Sequence, residues 1–124
     1  KPVNDKFGHA TGDLLLKAVA SRILGCVRES DTVARVGGDE FVVLLREIDS
    51  AQSALAVAEK IRASLSESFP IDAHDIQDGS SVGIANYPDH GRSEIELSAR
   101  ADAAMYEAKE AGGNLVQLAR PAEG

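Results

Sequence analysis

Two glycines followed by two adjacent carboxylates form the stretch of this 124-residue sequence with the clearest chemical potential. The run Arg35-Val36-Gly37-Gly38-Asp39-Glu40-Phe41 lies between a short β-prone segment and the apolar segment 42–45. The Gly-Gly pair predicts a hairpin turn, because glycine accepts the positive φ angles that tight primed turns need. Asp39 and Glu40 at an exposed bend could hold a cation, since carboxylate oxygens are hard ligands. Taken by itself, the run fits a solvated acidic turn equally well.

The composition predicts one globular domain with an aliphatic core, because the chain is 44% hydrophobic and only 4% aromatic. The net charge of −7 argues against nucleic acid or an anionic membrane surface as the main partner. Cys26 is the only cysteine, which excludes a disulfide framework and indicates a reducing compartment. We therefore expect a cytoplasmic domain, in a parent protein that could itself be membrane-tethered. The sequence opens at Lys1 without a methionine, so we expect a fragment.

Alternation of helix-like and strand-like patterns predicts a mixed β-sheet covered by helices, an α+β arrangement. Four apolar residues after Phe41 indicate a strand that is covered on both faces. The predicted elements, in chain order, are a helix from Asp13 that fades near 28–31, a hairpin of strands 32–35 and 41–45, a helix from Ser50, a weak strand 69–73, a loop through 75 and 78–79, a strand 81–85, a helix from Ser93 to about 111, and a strand 115–118.

Capping signals set the expected ends of these helices. Thr11 or Asp13 could cap the first helix, and Ser93 with Glu96 three residues later has the spacing of a capping box for the third. Gly112-Gly113 is expected to end the third helix. The second helix is expected to bury one apolar face, made of Ala54, Leu55, Ala58, Ile61 and Leu65.

Five motifs in a fixed order resemble the GGDEF family, the diguanylate cyclases of bacterial second-messenger signalling. The resemblance covers nearly the whole chain, from Lys1 to about Val116, and no phosphate-loop, dinucleotide or paired-cysteine motif competes with it. The motifs are Asn4-Asp5-x-x-Gly8-His9-x-x-Gly12-Asp13, Arg28-x-x-Asp31, Gly37-Gly38-Asp39-Glu40-Phe41, Ser81-x-Gly83-Ile84, and Ala101-Asp102-x-Ala104-Met105-Tyr106-x-Ala108-Lys109.

The resemblance implies a nucleotidyltransferase that condenses two GTP molecules into cyclic di-GMP and two pyrophosphates. Phosphoryl transfer of this kind needs charge neutralisation and in-line positioning more than covalent help. Gly37 and Gly38 would let the backbone approach phosphates, and Asp39 and Glu40 would be catalytic ligands of Mg²⁺ or Mn²⁺. Lys109 would meet the triphosphate as a further catalytic group. No residue is an obvious general base for the 3′-hydroxyl. Metal activation or Glu40 could fill that role.

The resemblance also places Asn4 and Asp13 on the guanine base. A carboxylate accepts hydrogen bonds from guanine N1–H and N2–H₂, whereas adenine lacks this donor pair, so the arrangement selects GTP. Considered alone, Asp13 reads as a helix cap and Asn4 as a turn residue. His9 matches a family position near the ribose, a less specific assignment.

Arg28-x-x-Asp31 matches the inhibitory site at which the family binds its own product, cyclic di-GMP. Arginine suits this role because its planar guanidinium can grip phosphate and stack on guanine. Either Lys60 or Arg62, on the polar face of the second helix, could supply a further cation.

Two departures from the family pattern bear on activity. The family's first strand and its metal-binding aspartate are expected upstream of Lys1, and Gly113 stands where the family often has a phosphate-binding arginine. We expect a GGDEF domain at 1–118, a tail at 119–124, and an active homodimer controlled by an upstream sensory or receiver domain. The alternatives are an inactive module that binds GTP or cyclic di-GMP and regulates a fused or partner domain, and a simple dimerisation domain.

Overall fold

The computed structural model of the chain describes residues 8–46, 50–71, 73–77, 79–87, 90–112 and 115–120, without the side chains of His9, Ala51 and Leu115. These residues form helices on both faces of a central sheet. The helices and strands are α1 (His9–Leu24), β1 (Thr32–Gly37), β2 (Glu40–Leu45), α2 (Ala51–Ser66), β3 (Phe69–Ile71), β4 (His74–Ile76), β5 (Ser81–Asn86), α3 (Glu94–Glu110) and β6 (Leu115–Leu118).

The central sheet is mixed and has the strand order β1-β2-β5-β6. β1 and β2 form an antiparallel hairpin, whereas β5 runs parallel to both β2 and β6. β3 and β4 form a separate antiparallel pair. The mixed sheet with covering helices confirms the predicted α+β fold class.

β2 is buried on both faces, as its uninterrupted apolar sequence predicts. Phe41, Val43 and Leu45 join the core that contains buried residues of α1 and α2. Val42 and Leu44 point the other way, into the core formed with α3. Because side chains alternate along a strand, one element thus holds the two cores together.

The first helix begins earlier than its sequence predicts. Thr11 and Asp13 lie inside α1, so the prediction that either caps the helix is wrong. Gly8 precedes the helix with φ 94°, a left-handed conformation that favours glycine, and makes no side-chain cap. The helix ends at Leu24, before the predicted 28–31, and Gly25 follows as a poor helix former.

The caps of the other helices agree better with prediction. Ser50 Oγ accepts a hydrogen bond from Ser53 N, and Ser93 Oγ accepts one from Glu96 N, both at 3.2 Å. Glu96 Oε1 accepts a hydrogen bond from Arg92 N, whereas a capping box requires Ser93 N as the donor. The glutamate half of the predicted box therefore differs from the standard pattern by one residue. Gly112, with φ 116°, follows α3 as predicted.

Three other expectations need correction. Leu55 is 54% exposed and does not belong to the buried face of α2, which Ala54, Ile61 and Leu65 form. The region around Asp75 is strand β4 and not a loop, because it pairs with β3. Ala119 N donates to Ile84 O at 2.7 Å, so ordered pairing continues into the segment predicted as a tail.

Arg22 links α1 to the end of α2, a contact that the sequence does not reveal. Its Nη1 donates to Ser64 O at 2.9 Å and to Glu67 O at 2.8 Å, and Nη2 donates to Ser68 O at 2.8 Å. The guanidinium carbon also lies 3.5 Å from the centroid of the Phe69 ring. The side chain thus satisfies carbonyls that a helix end leaves unpaired.

Replacing Arg22 with alanine is expected to lower the free energy of unfolding by about 2 kcal/mol, since three charge-assisted hydrogen bonds and a ring contact are lost. Arg22→Lys should recover little, because an ammonium cannot reproduce the planar fork. Urea unfolding followed by circular dichroism measures both variants. Arg62→Ala is the control, because within the described residues the hydrogen bonds of Arg62 go to its exposed helical neighbour Glu59. Equal losses for Arg22→Ala and Arg62→Ala would contradict the assignment.

Candidate functional site

The predicted hairpin is present, but its glycines act differently from the prediction. Gly37 pairs with Glu40, and the register shifts between Arg35 and Gly37, which leaves a bulge at Val36. Neither Gly37 nor Gly38 has a positive φ, so the primed-turn reasoning is wrong. A Cβ on Gly37 would instead lie 2.6 Å from Glu40 Oε1. Glycine therefore leaves room for the Glu40 carboxylate above the turn.

The turn is held from two sides by hydrogen bonds to its carbonyl groups. Asp39 O accepts from Ser81 N at 2.9 Å, which fixes the turn to the start of β5. Arg35 Nε donates to Gly38 O at 2.7 Å and to Gly37 O at 3.3 Å. Sequence reasoning missed Arg35, since no motif assigned it a role.

Lys109, in the last turn of α3, forms an ion pair with Glu40. The lysine side chain is 51% exposed and the glutamate side chain 20% exposed, so the pair lies at the surface. The hydrogen bond to Glu40 raises the pKa of Lys109, and the charges of Glu40, Asp39 and Tyr106 add to the rise. The fold thus brings three predicted catalytic residues, Asp39, Glu40 and Lys109, to one place.

A cleft of about 400 Å³ opens between α1 and the hairpin. Asp13, the predicted guanine-reading carboxylate, lines it and is exposed. Arg35 lines the cleft and also holds the turn, so the two regions adjoin. A concave site with apolar walls and few polar groups is typical of small-molecule binding. The remaining lining residues are Leu16, Lys17, Ala20 and Phe41.

Several predicted site residues fall outside the described atoms. Asn4 and Gly113 lie outside the described residues, and the side chain of His9 is not described although its backbone starts α1. The assignments of Asn4 to guanine and of His9 to the ribose stay predictions, as does the effect of Gly113 on phosphate binding.

Asp31 of the predicted inhibitory motif has a local structural role. Its Oδ2 accepts from Arg28 N at 2.8 Å, and its Oδ1 accepts from Arg46 N at 3.0 Å. The carboxylate thus joins the residue after β2 to the loop before β1. Arg28 and Lys60 are both exposed. Arg62, the alternative to Lys60, pairs with Glu59 at 2.8 Å.

Asp39 and Glu40 are the carboxylates that could contribute to a metal site. Within the described part of the chain, no group of three or more His, Cys, Asp or Glu side chains is placed to hold an ion. Two carboxylates nevertheless fit Mg²⁺, which usually takes one or two carboxylates together with water and substrate phosphates. No helix in the described residues is long and apolar enough to cross a membrane.

Comparisons with known proteins identify the family of this chain. The family described as "Diguanylate cyclase, GGDEF domain" matches residues 1–115. The bifunctional diguanylate cyclase/cyclic di-GMP phosphodiesterase MucR of Pseudomonas aeruginosa is 48% identical over 114 residues, which are 92% of this chain. The chain spans 16% of the length of MucR.

Two solved structures share the fold. The isolated GGDEF domain of TpbB (YfiN) from Pseudomonas aeruginosa matches with a TM-score of 0.82 and 42% identity, over 96% of this chain and 70% of that one. The GGDEF domain of DgcB from Caulobacter crescentus, in complex with c-di-GMP, matches with a TM-score of 0.67 and 31% identity, over 94% and 70% of the two chains. The chain belongs to the GGDEF family of diguanylate cyclase domains.

Proposed function

We propose that this domain condenses two GTP molecules into cyclic di-GMP, with release of two pyrophosphates. The observation that carries the proposal is the contact between Glu40 and Lys109 beside Asp39. Carboxylates for a cation and an ammonium for phosphate thus lie together, next to a cleft that contains Asp13. This is the combination of charges that a nucleoside triphosphate needs.

Recognition of guanine is assigned to the cleft. The Asp13 carboxylate accepts from guanine N1–H and N2–H₂, which adenine does not offer. Leu16 and Phe41 supply apolar surface for the base. Asn4 adds an amide that can both donate and accept.

The phosphates are assigned to the turn and to α3. Asp39 and Glu40 would hold Mg²⁺ or Mn²⁺, whose chemistry when bound is to neutralise the charge on phosphate oxygens. Lys109, whose ordinary pKa of 10.5 already keeps it protonated near neutral pH and whose pKa Glu40 raises further, would bind the triphosphate through its ammonium. Glu40 would exchange its lysine partner for the metal, and either metal activation or Glu40 would remove the proton of a 3′-hydroxyl.

Two domains must cooperate, because each 3′-hydroxyl attacks the α-phosphate of the other nucleotide. One domain holds one GTP, and the two-fold symmetry of the product matches a homodimer. An upstream sensory or receiver domain of the longer protein would then control activity by bringing the two sites together.

Product analysis of the full-length protein with GTP and Mg²⁺ tests the proposal. Chromatography should show cyclic di-GMP and pyrophosphate, and specific activity should rise with protein concentration until dimerisation is complete. Bound GTP without product in a demonstrated dimer would reject the cyclase. That outcome would support the second candidate, a non-catalytic module that binds the nucleotide and regulates a fused domain.

Feedback inhibition by cyclic di-GMP is assigned to Arg28, with Lys60 as a further cation. Replacing Arg28 with alanine is expected to raise the inhibition constant by about tenfold or more, because a charge-assisted phosphate contact is lost. Initial rates at increasing cyclic di-GMP measure it, and Glu29→Gln, which changes a neighbouring exposed charge, is the control. An unchanged inhibition constant for Arg28→Ala would remove the assignment.

A further inference from the structure

Arg35 uses only part of its guanidinium to hold the turn. Its Nε donates to Gly37 O and Gly38 O, at 3.3 and 2.7 Å. Among the described residues, its two Nη amino groups have no protein acceptor within hydrogen-bond distance. The guanidinium therefore retains four N–H donors while its orientation is already fixed.

The position of Arg35 indicates what those donors meet. The side chain is exposed and lines the same cleft as Asp13 and Lys17. Asp13, on α1, supplies the acceptor for a base. Arg35 is attached to the turn that carries Asp39 and Glu40, so its guanidinium lies at the end of the cleft nearest the turn.

We propose that Arg35 binds the nucleotide phosphate nearest the ribose, through its Nη groups, while its Nε holds the Gly37–Gly38 turn in place. The inference rests on the proposed function, since it assumes that a guanine nucleotide occupies this cleft. An arginine suits the role because its planar fork binds phosphate with two parallel hydrogen bonds.

The turn contact strengthens this assignment. A side chain that is already oriented loses less conformational entropy when it binds a ligand than a free arginine would. The same contact links phosphate binding to the position of Asp39 and Glu40, because all three share the turn. Arg35 is thus a phosphate-binding residue and a positioning residue for the carboxylates.

The test separates the contribution of the phosphates to binding from that of the base by comparing three ligands. Guanosine, GMP and GTP are titrated by calorimetry into the full-length protein in EDTA, so that no divalent metal contributes. For Arg35→Ala, binding of GMP and GTP should weaken about tenfold, whereas binding of guanosine should change less than about twofold. Arg120→Ala, which removes an exposed arginine paired with Glu107, is the charge-matched control and should leave all three affinities unchanged.

A second variant keeps the test informative if alanine disturbs the turn. Arg35→Lys retains a cation for phosphate but loses the hydrogen-bonding fork, so GMP should bind more tightly than to Arg35→Ala. Equal weakening of guanosine and GMP in both variants, or unchanged GMP affinity in both, would overturn the inference.

The outcome is distinct from that of the cyclase assay. Binding of GMP that depends on Arg35, in a protein that makes no cyclic di-GMP, would reject the proposed function and retain the inference. Cyclic di-GMP synthesis together with GMP binding that is independent of Arg35 would support the proposed function and reject the inference about Arg35.

Discussion

Substitution of Gly83 by alanine is expected to destabilise the domain by at least about 3 kcal/mol, a large part of the stability of a domain of this size. Gly83 lies in β5 where α3 crosses it. A Cβ on Gly83 would come within 2.0 Å of Ala101 O and 2.4 Å of Met105 N. Both are backbone atoms of α3, so the clash cannot be relieved by rotating a side chain.

Thermal and urea unfolding of Gly83→Ala measure this loss. Gly38→Ala is the matched control, because Gly38 has no positive φ and a Cβ there would meet nothing within 4 Å. Its stability should change by less than about 0.5 kcal/mol. Similar stability of Gly83→Ala and Gly38→Ala would show that α3 does not pack on β5 as described.

Replacing Glu40 with glutamine is expected to reduce the rate of cyclic di-GMP synthesis by about 10³-fold, the usual scale for loss of one preorganised electrostatic group. Glutamine keeps the size of the side chain above Gly37 but removes the charge that pairs with Lys109. The pKa of Lys109 should then fall towards its ordinary value, because Glu40 is the main cause of its rise.

Initial rates with GTP and Mg²⁺, at protein concentrations where the dimer is complete, measure the effect of Glu40→Gln. Glu110→Gln is the control, because it neutralises an exposed carboxylate next to Lys109 in the sequence and should leave the rate unchanged. A Glu40→Gln rate within tenfold of the wild-type rate would exclude a catalytic role for this carboxylate.

The sequence predicted those features that depend on local pattern. The apolar residues after Phe41 indicated burial on both faces, and the two cores confirm it. The predicted cap Ser93 and the predicted helix start Ser50 are both N-caps in the structure, because their side chains bond within the next turn. The motif order identified the family, which the comparisons confirm.

Features that depend on tertiary contacts could not be predicted in this way. β4 contains His74 and Asp75, both exposed, and exists because it pairs with β3. Arg22 acts on backbone carbonyls of another segment, and Arg35 acts on carbonyls two and three residues along its own hairpin; no side-chain pattern reveals either contact. The proximity of Lys109 to Glu40, 69 residues apart, followed only from the family resemblance.

The central claim is that Asp13, the Asp39–Glu40 turn and Lys109 form one GTP site. A crystal structure of the full-length protein with Mg²⁺ and a non-hydrolysable GTP analogue tests it most directly. We expect guanine to hydrogen-bond to Asp13 in the cleft, the phosphates to lie against the turn, and the Lys109 ammonium to contact phosphate oxygen in place of Glu40. Nucleotide bound elsewhere, or phosphates remote from the turn and Lys109, would contradict it.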